Sequence, residues 1–134
     1  MRYVLDLVVV EKPQPDSRTY SSVPTVIELS WQGALVAGLY AGASGCPIQE
    51  YMPTEWKGSV AKPIAHSRLW KILEPDERVL LGGDATLAQI ERAKDRGALA
   101  RWAPGRTYYP ETWLMHNILD AVALGCFHLG RIGR

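Results

Sequence analysis

Two places in the chain combine residue types and spacings that could do chemistry. An apolar run, Val8-Val9-Val10, ends in Glu11-Lys12-Pro13, and a late stretch reads His116-Asn117-Ile118-Leu119-Asp120. A carboxylate after three valines sits at the carboxyl end of a buried strand, where α/β folds place their ligands. Burying it without a nearby cation or donor is costly. His116 and Asn117 precede Asp120 by four and three residues, so a helix there sets all three side chains on one face, one turn apart. Carboxylate and amide oxygens suit Mg²⁺ or Mn²⁺, and imidazole also suits Mn²⁺. Such a cation stabilises the attacking and leaving oxygens of a phosphodiester. Each piece also has a plainer reading. Glu11 could pair with Lys12 at the surface, Asp120 could be a solvated helical acid, and His116 a half-buried histidine.

The elements that must position these residues follow from pattern. Tyr3 to Val10 is β-branched and continuously apolar after Asp6, as expected for a strand covered on both faces. Pro13 and Pro15 stop it. Residues 23–40 carry apolar side chains at helical spacing, with Ser22 as cap, and the Gly42–Gly45 stretch breaks the helix. Cys46 to Met52 reads as a second strand, ended by Pro53. Helices are expected from Pro63 to about Leu73, from a cap at Asp84 to about Arg96, and from Pro110 to about Leu129. Between them, Ala103-Pro104-Gly105-Arg106 is a loop. This order predicts an α/β layer fold with a parallel strand pair joined by a helical crossover.

Composition bounds the class. A chain of 134 residues with 47% hydrophobic content fits one globular domain. Its apolar runs fall short of the roughly 20 residues that span a bilayer, and Asp6 and Glu11 interrupt any signal-like segment. A soluble, cytoplasmic protein without a membrane partner is expected. Cys46 and Cys126 are too few for a disulfide framework or a zinc site and read as small core residues. The net charge is only +1, yet Lys57, Lys62, His66, Arg68 and Lys71 form a run with no intervening acid. Arg92, Lys94, Arg96, Arg101 and Arg106 form a second basic set, partly balanced by Glu91 and Asp95. Local positive potential of this kind binds phosphate even on a nearly neutral chain. The plainer reading of both runs is a solvated surface.

Four segments, in order, resemble RuvC-like Holliday-junction resolvases of the phage and prophage type. Val8 to Gln14 is similar to their second acidic strand, and Gln32 to Gly38 to the helix that follows it. Tyr51-Met52-Pro53-Thr54-Glu55-Trp56-Lys57-Gly58-Ser59-Val60-Ala61-Lys62 resembles the next strand and basic turn, with His66-Ser67-Arg68 in the helix after it. His116 to Gly125 resembles the closing acidic helix. The resemblance covers most of the chain, and its middle and last segments are the most specific. It implies a three-layer ribonuclease-H-like fold over residues 1–134 and Mg²⁺- or Mn²⁺-dependent cutting of branched DNA. Glu11 and Asp120 are then the metal acids, assisted by Asn117 or His116. Lys12, Lys57, Lys62, His66 and Arg68 face DNA, and Trp56 either stacks on a nucleotide or fills the core.

The resemblance also exposes a departure. Relatives begin with a strand bearing a further Asp, and a hairpin leads from it to the Glu strand; the present sequence reads as N-terminally truncated by those strands. Asp6 does not replace that Asp. Its odd offset from Glu11 points it to the opposite sheet face, and at about 3.3 Å per residue the two lie roughly 16 Å apart, against about 3.5–4 Å between paired metals. A short sheet leaves an apolar edge, which predicts either a homodimer that covers it or a helix-dominated monomer. A degenerate module that binds DNA junctions or a protein without cutting is the alternative to a nuclease.

Overall fold

The computed structural model describes residues 7–11, 31, 33–38, 42, 46–110 and 112–132. It divides into two units, Met1–Trp56 and Lys57–Arg134. The chain is α/β and mostly helical, with a short parallel strand pair among the described residues.

In the first unit, strand β1 (Val8–Glu11) runs parallel to strand β2 (Ile48–Tyr51). The register pairs Val8 with Ile48, Val9 with Gln49, Val10 with Glu50 and Glu11 with Tyr51. The expected strands are thus present in shorter form, and the parallel pairing is the expected one. β1 ends at Glu11, and Pro53 begins the short helix α1 (Pro53–Trp56) just past β2; a proline lacks the amide a ladder needs but suits a first helical turn. Of the expected connecting helix, residues 31, 33–38 and 42 are helical, so Gly42 falls in helical backbone rather than in a breaker. Lys12, Gln32 and Asp6 lie outside the described residues.

The second unit is built from helices α2 (Lys62–Ile72), α3 (Pro75–Leu80), α4 (Gly83–Lys94), α5 (Arg96–Trp102) and α6 (Met115–His128). Helix α2 packs against both α4 and α6. Leu69, Ile90 and Leu119, one from each, are fully buried, with Trp70, Leu73, Ala123 and Leu124 around them. Burial of side chains of this size contributes about 1.5–3 kcal/mol each. Cys126 is buried in the same core and Cys46 is half-buried in the first unit; both are free.

Three boundaries differ from expectation, each for a local reason. Asp84 does not cap α4. Gly82 stands at the cap with φ of 89°, a left-handed conformation, and a Cβ there would meet the Thr86 hydroxyl oxygen at 2.6 Å. That hydroxyl donates to the Leu81 carbonyl. The helix stops before Arg96 because the Asp95 carboxylate accepts the Ala98 amide and caps a new helix, α5. The last helix begins at Met115 rather than Pro110. Tyr109 is buried and packs with Trp102 and Trp113, which fixes the chain in a non-helical turn before Met115. Helix α3 was not expected at all. Glu74 and Glu77 form a reciprocal capping box around Pro75, the pairing that satisfies two unbonded amides at a helix start. Arg131 then grips Glu77 with two bonds, at 2.7 and 2.8 Å, and donates to the Ile72 carbonyl.

Candidate functional site

The second unit holds a continuous polar network between α2 and α6. Lys62 and His66 lie four residues apart on α2, and His116 and Asp120 lie four apart on α6, so each pair shares a face. Asp120 receives both α2 side chains. Its Oδ2 meets Lys62 Nζ at 2.6 Å and its Oδ1 meets His66 Nε2 at 2.8 Å. The other ring nitrogen of His66, Nδ1, lies 2.9 Å from the Tyr109 hydroxyl. Lys62 Nζ also lies 3.1 Å from His116 Nδ1. The Tyr109 ring stacks between the two imidazoles, with centroids 5.5 Å from His66 and 5.6 Å from His116.

Donor inventory fixes the direction of the bonds that Asp120 and Lys62 make. A carboxylate only accepts, and a lysine ammonium only donates. His66 Nε2 therefore donates to Asp120, and His116 Nδ1 accepts from Lys62. His116 is then neutral, with its proton on Nε2. Burial, followed by the Lys62 charge, holds the His116 pKa below the ordinary 6.5, in agreement with that assignment. Burial, with the charges of Asp120 and Glu91, holds the Tyr109 phenol protonated well above its ordinary range, and its O–H donates to His66 Nδ1 when that ring is neutral, Nε2 carrying the proton. Burial alone pushes the Asp120 carboxyl up, but the His66 and Lys62 hydrogen bonds outweigh it, and the pKa falls below the ordinary 3.8. The chain runs Tyr109 to His66 to Asp120, with Lys62 bridging Asp120 and His116. His66 is fully buried and satisfied at both nitrogens.

Two cavities share the Gly105–Tyr108 loop as a wall, and one of them reaches the network. One of about 300 Å³ is lined by Lys62, Arg106, Thr107, Tyr109 and His116. A larger one of about 710 Å³ lies on the other side of the Gly105–Tyr108 loop.

The predicted site residues are distributed as follows. Asp120 and His116 meet through Lys62. Asn117, on the same helix, is exposed and takes no part in the network. His66, expected to face DNA, is instead buried beneath Asp120, because its ring completes the Asp120–Tyr109 chain. Lys62 is half-buried against Asp120, Arg68 is exposed, and Lys57 is half-buried. In the first unit, Glu11 is exposed at the end of β1 and its Oε2 accepts the Trp56 indole N–H at 2.8 Å. Trp56 is buried, as its core reading required. Tyr109 was missed. The signal available was two complementary i, i+4 pairs, Lys62/His66 and His116/Asp120.

Asp120 Oδ2 and His116 Nδ1 converge on the Lys62 ammonium, a cation standing where an oxygen and an imidazole nitrogen are both directed. Among the described residues, no group of three or more His, Cys, Asp or Glu is arranged to hold a metal. Among those residues, no helix is long and apolar enough to cross a membrane. Comparison with protein-family models, characterised proteins and solved structures gave no match.

Proposed function

We propose that the chain is a RuvC-like, ribonuclease-H-fold nuclease directed at branched DNA, with Mg²⁺ or Mn²⁺ as its cofactor. The observation that carries this reading is the convergence of Asp120 and His116 on a single cation, at the helix the resemblance assigns to the last metal acid. Asp120 and His116 would hold the divalent ion in the second unit, and the resemblance assigns Glu11, in the first, as a further metal acid. Bound there, the ion supplies charge neutralisation at a phosphodiester.

The chain's own residues do the rest. His66, clamped by Tyr109, fixes the Asp120 carboxylate in orientation, as outer-shell partners of metal ligands do. Lys62, released from Asp120, is positioned in the smaller cavity to bind a phosphate beside Arg106. His116 presents its remaining N–H as a donor at the same wall. A labelled four-way junction incubated with Mn²⁺ or Mg²⁺ should be cut, and Glu11→Gln and Asp120→Asn should each lower the rate by about a hundredfold or more. Uncut junction with wild-type protein under both metals would overturn the nuclease reading.

A second reading rests on a separate observation: both Asp120 oxygens already have nitrogen donors. Asp120 is then an internal counter-ion, and the chain a junction-binding module that does not cut. Salt-sensitive junction binding without cutting, undiminished by Asp120→Asn, is the outcome that selects it.

A further inference from the structure

The loop between α5 and α6 is pinned at both ends. Ala103 is buried at one end and Tyr109 at the other, while residues 104–108 are exposed. Gly105, with φ of 74°, makes the turn, and the Arg106 amide bonds back to the Ala103 carbonyl at 3.1 Å. Two adjacent tyrosines are thereby turned to opposite tasks. Tyr109 enters the polar network, and Tyr108 stays 39% exposed at the loop surface.

Gly105, Arg106, Thr107 and Tyr108 line both cavities. On one side, Pro63, Ile64 and Leu99 give the larger cavity apolar surface, Arg96 and Arg106 add positive charge, and Lys94 at its wall is paired with Glu91 at 2.9 Å. On the other, the smaller cavity ends at Lys62 and His116. Among the described residues, no carboxylate lines either one. A volume of about 710 Å³ lies within the range of about 300–1,000 Å³ that accepts small ligands. Apolar and aromatic surface bounded by cations matches a flat heterocycle carrying a phosphate. Inorganic phosphate leaves the apolar surface wet, and an apolar peptide brings no anion to Arg96 and Arg106.

We infer that the larger cavity binds one unpaired nucleotide of a DNA strand, its base against Tyr108 and its phosphate at Arg96 and Arg106, with the next phosphate along the strand in the smaller cavity. This deepens the proposed function and rests on its choice of DNA as ligand. Aromatic stacking with cationic backbone contacts is the general means of holding unpaired bases.

The test uses the whole chain and a fluorescently labelled oligonucleotide duplex carrying one unpaired thymidine, with the same duplex made abasic at that position and with free dTMP as competitor. Removing the base should weaken binding about tenfold, as should Tyr108→Ala, while Tyr108→Phe, which keeps the ring, should bind like wild type. Arg96→Ala should weaken binding to the base-bearing and abasic duplexes alike. Equal affinity for the two duplexes in the wild-type protein would overturn the inference without touching the nuclease reading, since junction cutting is measured separately. Free dTMP competing at the oligonucleotide's own affinity would also overturn it, by showing a site for mononucleotides.

Discussion

At the scale of single residues, the chemistry turns on Lys62 and the two atoms its ammonium meets, Asp120 Oδ2 and His116 Nδ1. Replacing Tyr109 by Phe removes the donor to a fully buried ring nitrogen and should cost about 1–3 kcal/mol in urea unfolding. The pH dependence has a definite sign. His116 titrates below its ordinary 6.5 when folded, so between those two values the unfolded chain binds more protons, and stability falls as pH falls. Asp120 titrates below its ordinary 3.8; its contribution is present above that value and is lost as pH drops through the lower, folded one. Urea midpoints should therefore decline from about pH 6.5 downward and again at strongly acid pH. His116→Gln should flatten the first decline and Asp120→Asn the second. From sequence, Asp120 and His116 were legible as a helical pair because spacing alone puts them on one face. Their partners were not. Lys62 and His66 each lie 54 residues from their α6 partners, and helical periodicity shows which residues share a face without showing what packs against it.

At the scale of elements, caps decide where the second unit bends. Asp95→Ala removes the side-chain acceptor for the Ala98 amide and should cost about 1 kcal/mol, as helix caps do. Gly82→Ala combines left-handed backbone with a 2.6 Å approach to the Thr86 oxygen; a loss of about 1–3 kcal/mol is expected, read by thermal melting. The strand pair was legible because three valines and flanking prolines are strong punctuation, and α2 because Pro63 marks its first turn. Helices α3 and α5, of six and seven residues, are too short to show a hydrophobic period. The aromatic packing of Tyr109, Trp102 and Trp113 likewise delays α6 to Met115, and a start signal at Pro110 carries no record of it.

At the scale of the whole molecule, two units carry the two acids, Glu11 in one and Asp120 in the other. The α/β class followed from the order of strands and helices, whereas the ribonuclease-H-like assignment remains a proposal founded on four segments of resemblance. The chain's charge is nearly balanced overall, so the proposed DNA binding would rest on local cations, and salt should weaken it steeply, with Lys62 and Arg106 among the contacts that set the slope. A homodimer is the proposed assembly, with the short parallel sheet extended across two copies. Sedimentation should then find twice the monomer mass, and a monomer at all concentrations would exclude it.

The cation site itself is tested most directly by titrating Mn²⁺ into the protein and following paramagnetic broadening of the His116 ring resonances. The account predicts selective broadening in the wild-type protein, at about tenfold lower Mn²⁺ in Lys62→Ala because the resident ammonium no longer competes, and none in Asp120→Asn. Broadening that persists in Asp120→Asn, or no broadening even in Lys62→Ala, would contradict it.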